Sequence, residues 1–429
     1  MRFVVLCVSA LLCVSAVAKV GAKPFSAPLP RPIPEPRDQL FVGTIQLHVD
    51  ATDTIHSLFR VSETIPVQTR GEMVLLYPEW ETTSHGPTAS AIELAGLRMH
   101  VDGKDIEWRR DTIDVHAFHL TTPAGAHSLT LDFEYLSPRS SAKLRREMID
   151  VEWQHLLLYP AGWFARDIPV DAQLELPKGL RAFTALTPLH TPDSLANLLA
   201  FAPETLDRLV DAPVYAARYT RELDLSSSSR VPVHLDLLAD EPADLEVSPT
   251  DLAELQALVV QASEAFGPAP FRHYDALVSL SDQLSPGGGL EHLDEGENNL
   301  PANYFTASGR QLNNRDLIAH EYVHTWNGRF FSVVICNRLR KTSTSSLTLN
   351  VRVRRSHQLL RVADREAPPR RSQCAAKLRK VPHLVTRFAL SNSAFERHCP
   401  DRQPRYQFYP SQSSFDTAVP FLESGHHPA

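Results

Sequence analysis

Between residues 40 and 239, apolar and polar residues alternate one by one, and this pattern constrains the fold more than any other feature of the sequence. In the clearest stretch, LTLDFEY at 129–135, leucine, phenylalanine and tyrosine occupy every second position. Segments 41–49 and 231–237 show the same alternation. Because successive side chains of a strand point to opposite faces, a period of two predicts half-buried antiparallel strands. We therefore expect an N-terminal β-sandwich-like domain over residues 40–239.

The first 22 residues have the pattern of a secretory signal peptide. Arg2 precedes an apolar run over residues 3–17, and the small-residue triplet AVA follows at 16–18. The run is shorter than the ~20 residues that a membrane span needs. We expect an exported protein, periplasmic or secreted, that has no membrane span. Residues 23–39 are rich in proline and are expected to form an extended tether.

From residue 240 the pattern changes to a mixture of helices and strands. Ser248 followed by Pro249 predicts the start of a helix, which a glycine and a proline end at 267–268. The segment 273–284 predicts a strand, and SPGGG after it predicts a turn. The segment NNRDLIAHEYVHTWNG predicts a second helix, capped by its first or second asparagine. The chain as a whole is therefore predicted to be α+β.

The second predicted helix carries an HExxH motif. Residues four apart lie on the same helix face, so His320 and His324 can bind one zinc ion. Glu321 follows the first histidine, where its carboxylate can act as general base toward a zinc-bound water. The alternative is an ordinary helix with two surface histidines, which the predicted helix ends and the apolar residues around the motif disfavour.

Catalytic zinc usually has three protein ligands, and the third one stays open in this sequence. The segment HTWNGRFFSVV begins with His324 and contains no further histidine. The glutamates that follow are Glu366, Glu396 and Glu423, and prolines and arginines around Glu366 disfavour a helix there.

Three motifs together carry a resemblance to a known family. With HEYVHTWNG, GGGLEH and ENNLPANYF, residues 40–329 resemble the glycyl aminopeptidase family, gluzincin metallopeptidases that usually also carry a PDZ domain. The resemblance implies a thermolysin-like catalytic domain after a β domain, with His320 and His324 as zinc ligands and Glu321 as base. It also implies that GGGLEH lies on a strand at the edge of the cleft.

The segment GGGLEH contains the candidate substrate-binding residues. Gly287, Gly288 and Gly289 would let a peptide backbone approach closely, because glycine has no side chain. Glu291 could pair with the free amine of a peptide substrate. The alternative is a glycine-rich turn beside a solvated Glu-His pair.

Residues 331–429 depart abruptly from the rest of the chain. They contain 17 Lys and Arg against 6 Asp and Glu, a net charge of +11, whereas the residues before them carry −18. A basic block can bind nucleic acid, but this one has no recognition motif, so no nucleic-acid partner is predicted. It also contains Cys336, Cys374 and Cys399, every cysteine after residue 13.

We expect this basic tail to be poorly ordered and to follow a shift of the reading frame near codon 330. The catalytic domain would then be truncated to residues 240–330. Apolar residues at every second position over 347–353 are the main observation against a shift, because they could form one real strand.

The sequence therefore predicts a zinc-dependent metallopeptidase of the kind that releases N-terminal residues from a peptide substrate. Little activity is expected of this chain, because a third zinc ligand is not evident. One alternative is an inactive truncated product that keeps only a β-domain binding module, and zinc content would distinguish it. The other is a zinc endopeptidase of related fold, which would not depend on a free substrate amine. The sequence specifies no oligomeric state.

Overall fold

The computed structural model describes residues 32–68, 71–81, 86–87, 89–137, 143–189, 197–226, 231–284, 288–306 and 316–326. The predicted signal peptide, Gly287 and the basic tail lie outside the described residues, and the predictions for these segments stay predictions. The two asparagines proposed as a helix cap also lie outside them, but the second predicted helix begins at Leu317 with Asp316 as its N-cap residue, so the prediction of an asparagine cap is wrong.

The described part of the chain is mostly β, with few helices. Its first strands are β1 (Ile45–Asp53), β2 (Leu58–Pro66), β3 (Gly71–Leu76), β4 (Trp80–Glu81), β5 (Gly86–Pro87), β6 (Leu94–Val101), β7 (Lys104–Asp105), β8 (Trp108–Arg110), β9 (Ala117–Thr122), β10 (Ser128–Leu136), β11 (Met148–Val151), β12 (Tyr159–Pro160), β13 (Pro169–Glu175), β14 (Arg181–Phe183), β15 (Leu198–Ala200), β16 (Glu204–Thr205) and β17 (Val214–Ala217). The remaining strands are β18 (Tyr219–Asp224), β19 (Val233–Ala239), β20 (Tyr274–Leu280), β21 (Gly289–Glu291) and β22 (Glu295–Leu300). The helices are α1 (Leu206–Leu209), α2 (Pro249–Phe266) and α3 (Leu317–His324), with short 3-10 turns at Trp153–His155, Ala165–Asp167 and Pro242–Leu245.

Strands β1 to β17 form the N-terminal part. The largest sheet has the order β15-β13-β1-β2-β10-β6-β7, with β16 also paired to β13. A four-stranded sheet, β12-β3-β9-β8, shares one hydrophobic core with it, in a sandwich-like arrangement. A three-stranded sheet, β11-β17-β14, and the short pair β4-β5 complete this part.

The alternation in the sequence correctly predicts strands here. In β10, the apolar residues at 129, 131, 133 and 135 are buried, while the residues between them are half-buried or exposed. Most neighbouring strands are antiparallel, as expected, but β1 pairs with β13 in parallel, with Ile45 opposite Val170. Alternation specifies which face of a strand is buried and carries no information about its partner.

The second hydrophobic core surrounds a mixed five-stranded sheet of order β18-β19-β20-β22-β21. Strand β20 is parallel to both β19 and β22, whereas β18 and β21 pair antiparallel at the two edges. The predicted domain boundary at residue 239 thus falls between two strands of one sheet. Strand β19 is also buried along nearly its whole length, unlike the half-buried strand expected, because it lies inside a covered parallel sheet.

Helix α2 makes the crossover between the parallel strands β19 and β20, and its predicted ends are confirmed. The Ser248 side chain accepts a hydrogen bond from the Asp251 N–H at 3.1 Å, and Pro249 occupies the first turn. Gly267 ends the helix with φ of 94°, a conformation that favours glycine. Within the described residues, no helix combines the length and apolarity needed to cross a membrane.

A third, smaller apolar cluster joins the two parts of the molecule. It consists of Met148, Phe183, Tyr215, Ala217, Leu238, Leu277 and Leu284. Since its members come from β11, β14 and β17 on one side and from β19, β20 and the segment after β20 on the other, the three-stranded sheet packs against the five-stranded one.

Replacing Ser248 with alanine is expected to lower the free energy of unfolding by about 1 kcal/mol, because the N-terminal amides of α2 lose their side-chain acceptor. Ser248→Thr, which keeps a hydroxyl at the same position, is the control and should stay within about 0.5 kcal/mol of the parent. Chemical denaturation followed by circular dichroism measures both values. Equal losses in the two variants would contradict the capping role.

Candidate active site

Helix α3 is seated by aromatic side chains on one of its faces. The ring of Tyr322 meets that of Tyr274 edge-on, with centroids 4.9 Å apart, and it also contacts Phe271. Trp326, just after the helix, packs edge-on against Phe271 and donates a hydrogen bond from its indole N–H to the Pro268 carbonyl at 3.1 Å. These contacts join α3 to the segment between α2 and β20 and determine which helix face turns toward the sheet.

The residues of the HExxH motif lie together on α3. The Nε2 atoms of His320 and His324 are 3.0 Å apart, and the two rings are nearly perpendicular. His324 is buried and His320 is half-buried. Two nitrogen ligands bound to one tetrahedral zinc at 2.0–2.1 Å would lie about 3.4 Å apart. The observed pair therefore fits a divalent cation with little adjustment. The helix that carries both histidines begins at Leu317, after Asp316.

The GGGLEH segment faces the same helix. Strand β21 lies at the edge of the five-stranded sheet and carries Gly289 and Glu291, while Gly288 directly precedes it. One carboxylate oxygen each of Glu291 and Glu321 and one ring nitrogen of His324 all lie within 4.8 Å of one another. Gly289 and Glu291 therefore lie on an edge strand beside α3.

Glycine is required where this strand meets the helix. A Cβ atom on Gly289 would overlap the Glu321 carboxylate and lie 2.8 Å from Cδ1 of Leu317. On β22, a Cβ atom on Gly296 would lie 3.2 Å from Cβ of Glu321 and would overlap the Tyr274 hydroxyl. Gly288 differs, because no described atom lies within 4 Å of the place where its Cβ would be.

The Glu321 carboxyl occupies an unusual electrostatic environment. Only 3% of the residue is exposed. Burial, followed by the negative charge of Glu291, raises the pKa of Glu321 well above its usual value, and the nearby His292 opposes this shift. A carboxyl with a raised pKa is suited to receive a proton and release it again near neutral pH.

A buried polar network behind β21 and β22 escaped the sequence analysis. His292 lies between two carboxylates, with Nε2 3.0 Å from Glu297 and Nδ1 3.2 Å from Asp211. The Tyr215 hydroxyl donates a hydrogen bond to the second Glu297 oxygen at 2.7 Å. Burial opposes a charged imidazole, but the hydrogen bond to Glu297 and the surrounding carboxylates together raise the pKa of His292. The one indication of this network in the sequence was the histidine that directly follows the glutamate in GGGLEH.

The same network extends into the N-terminal part. Asp150 and Glu152 converge with Glu297, and the Lys143 ammonium lies between them, paired with Glu152 and 3.6 Å from Asp150. Lys143 therefore already supplies a cation to this carboxylate group. A further link is the Ala185 N–H, which donates to the Glu295 carboxylate at 2.6 Å. The hairpin of β21 and β22 is consequently held by the N-terminal part as well as by its own sheet.

Of the predicted site residues, the structure brings Gly289, Glu291 and the three HExxH residues together. Gly288 directly precedes β21, one residue before the close contact. Within the described ranges, no third histidine reaches the pair on α3, and the three glutamates after the motif all lie beyond the described residues. Glu291 is the one further acidic side chain that converges with Glu321 and His324 there.

A protein-family model matches the N-terminal part of the chain. Residues 46–218 match the family model described as the Peptidase M61 N-terminal domain. The match ends at β17, one residue before the five-stranded sheet begins, so it covers the strands of the first core and leaves α3 and β21 outside. No curated protein sequence matches the chain.

One solved structure with a similar fold is an aminopeptidase relative, and two others are more distant. An aminopeptidase N family protein from Idiomarina loihiensis superimposes with a TM-score of 0.57 at 19% identity, covering 70% of this chain and 51% of that one. Yeast LTA4 hydrolase (TM-score 0.42, 15% identity, 67% and 44% covered) and an M1 zinc metallopeptidase from Deinococcus radiodurans (0.40, 15%, 68% and 66%) are also similar. The chain spans about half the length of the first of these proteins.

Replacing Gly289 with alanine is expected to lower the free energy of unfolding by about 1–3 kcal/mol, because the added methyl group displaces the Glu321 carboxylate or the helix. Gly288→Ala is the matched control, since its methyl group enters open space, and it should remain close to the parent. Thermal unfolding of both variants measures the difference. Similar melting temperatures for the two would contradict the close approach of β21 to α3.

Proposed function

We propose that the protein is a zinc-dependent metallopeptidase relative of the aminopeptidase type and that its catalytic centre lies between α3 and β21. The observation that carries the proposal is the convergence of the HExxH residues with Glu291 on the edge strand. The Peptidase M61 N-terminal domain over residues 46–218 and the fold shared with an aminopeptidase N family protein support it.

His320 and His324 are the residues that would hold the metal. When bound, zinc supplies Lewis-acid activation of a water and of the scissile carbonyl. Glu321 then has a distinct task, because its carboxylate lies close to the His324 ring and can take up the proton that the attacking water releases. As the protonated acid, it can pass that proton to the leaving amine of the peptide.

Glu291 and the glycines of β21 would orient the substrate. An edge strand offers its outer backbone to an extended peptide, and Gly288 and Gly289 leave room for that peptide to approach. The Glu291 carboxylate would pair with the free N-terminal ammonium group and so define where the chain is cleaved. This pairing distinguishes an aminopeptidase from the alternative of a zinc endopeptidase.

We further propose that residues 240–330 are a truncated form of a thermolysin-like catalytic unit. The family resemblance implies a glutamate ligand on a helix after α3, and the residues beyond 330 depart from the family pattern there. A site with two imidazoles leaves more positions to water and holds zinc more weakly than a complete one. The alternative, an inactive product that serves as a binding module, follows if the second half of the site is lost entirely.

Zinc content is expected to reveal this incomplete site. The 429-residue chain should retain more zinc than the His320→Gln/His324→Gln variant, and mild chelation should remove that excess. It should also show little or no turnover of short peptides with small N-terminal residues. Zinc analysis before and after dialysis against a chelator, with a peptidase assay alongside, makes the measurement. Robust, chelator-sensitive turnover by the chain itself would contradict the truncation.

A version with the reading frame corrected after Arg329 is expected to cleave such peptides when their amino terminus is free and to leave acetylated peptides intact. Glu321→Gln in that version should lower kcat by about 10²–10⁴-fold, because the base is lost while the zinc ligands stay. Glu291→Gln should mainly raise KM and leave the zinc content unchanged. Equal cleavage of free and acetylated peptides would instead support an endopeptidase, and loss of zinc in Glu291→Gln would make Glu291 a ligand.

A further inference from the structure

A second group of metal-ligating side chains lies in the N-terminal part, away from α3. Glu79 follows β3, and Asp114 and His116 lie in the turn before β9. One oxygen or ring nitrogen of each residue lies within 4.8 Å of the other two. Backbone hydrogen bonds hold the two segments together, since the Tyr77 N–H donates to the His116 carbonyl at 2.8 Å and the Ala89 N–H donates to the Glu79 carbonyl at 3.0 Å.

The orientation of the His116 ring directs one nitrogen into this group. Its Nε2 lies 2.9 Å from the Ala89 carbonyl oxygen, which can only accept, so Nε2 carries the hydrogen. In the neutral ring, Nδ1 then has a free lone pair, and it lies 3.5 Å from Oε1 of Glu79. The ring also stacks on Tyr77, with an interplanar angle of 9°. Metal-binding histidines commonly show this arrangement, with the second nitrogen donating to a backbone carbonyl.

Glu79 is the second, independent sign of a ligand. The residue is only 8% exposed, and its Oε2 atom is buried without a hydrogen-bond partner among the described residues. In that part of the chain, His116 is also the one basic side chain within 4.0 Å of this carboxylate. A buried carboxylate oxygen without a partner is costly, and a bound cation would remove the cost.

The turn that carries Asp114 is itself held in shape. The Asp111 side chain accepts hydrogen bonds from the backbone N–H groups of Ile113 and Asp114, at 2.8 and 3.0 Å. Asp111 is in turn 2.8 Å from the ring of His119 on β9. Asp114 accepts from the His116 N–H at 3.1 Å, which keeps its carboxylate next to the imidazole.

We propose that Glu79, Asp114 and His116 form a second metal site that binds a divalent transition-metal ion such as Zn²⁺ or Ni²⁺. The donor set indicates the class of ion, because Ca²⁺ and Mg²⁺ prefer oxygen ligands throughout, whereas imidazole suits zinc and its neighbours. The ion would join the segment after β3 to the turn before β9 and would stabilise the four-stranded sheet. The competing interpretation is an ion pair between Glu79 and a protonated His116.

The test uses the full chain with His320→Gln and His324→Gln, so that zinc bound at α3 does not contribute. After dialysis against Zn²⁺ or Ni²⁺, this parent should retain about one ion per chain, and the metal should raise its melting temperature. Adding Glu79→Gln should weaken binding by about 100-fold or more and abolish the rise. Adding His48→Gln, at a surface histidine of the eight-stranded sheet, is the matched control and should leave both unchanged.

The melting temperature of Glu79→Gln in chelator distinguishes a metal-ligand role of Glu79 from an ion-pair role. Without metal, Glu79→Gln should be at least as stable as the parent, because a neutral amide replaces a buried carboxylate that lacks a partner. A melting temperature lowered equally in chelator and in zinc would establish the ion pair and overturn the proposal. Retention of less than about one-tenth of an ion per chain by the parent would also overturn the proposal. If Glu79→Gln does not fold, Asp114→Asn at the half-buried position gives the same comparison.

Failure of this site would leave the proposed peptidase function untouched. The experiment removes the α3 histidines at the outset, so its result depends only on the residues of the N-terminal part. Conversely, if the protein proves not to be a peptidase, the number of metal ions bound per chain in this experiment is unaffected.

Discussion

The close contact between α3 and the hairpin of β21 and β22 is the constraint on which the rest of the candidate site depends. It brings Glu321 into the interior, and it is sterically allowed because residues 289 and 296 are glycines. Aromatic packing on the other face of the helix holds the contact in place, since Tyr322 packs against Phe271 and Tyr274, and Trp326 packs against Phe271. The helix therefore has one apolar face for anchoring and one polar face for chemistry.

Burial of that polar face disfavours the charged form of Glu321, and the negative charges of Glu291 and Glu297 add to this cost, whereas His292 opposes it. Glu297 and Glu321 are buried and Glu291 is half-buried, and the His292 ring lies 3.0 Å from Glu297. Tyr215 and Asp211 extend the network into the N-terminal part, so the two hydrophobic cores are linked by hydrogen bonds as well as by apolar contact. The N-terminal part is thus a structural support for the edge strand that carries Glu291.

Most features that depend on residues close together in the sequence were predicted correctly, whereas features that depend on distant residues were not. The Ser248 cap, the end of α2 at Gly267 and the same-face placement of His320 and His324 depend on neighbours within four residues, and all are confirmed. The strand assignments also follow from local alternation. Membership of a sheet does not, and strands β18 and β19 therefore join the second core although they lie before the boundary expected at residue 239.

The sequence by itself determined the elements and the chemistry they carry, because helix and strand periods decide which side chains share a face. Only the tertiary structure decided which of those side chains meet. Asp211 reaches His292 across 81 positions, and Glu79 meets His116 through the pairing of two separate segments. Such contacts are made by chain crossover and packing, which local sequence spacing does not specify. At Gly289 and Gly296 the packing also requires glycine, because a Cβ atom there would overlap side chains of α3 and β20.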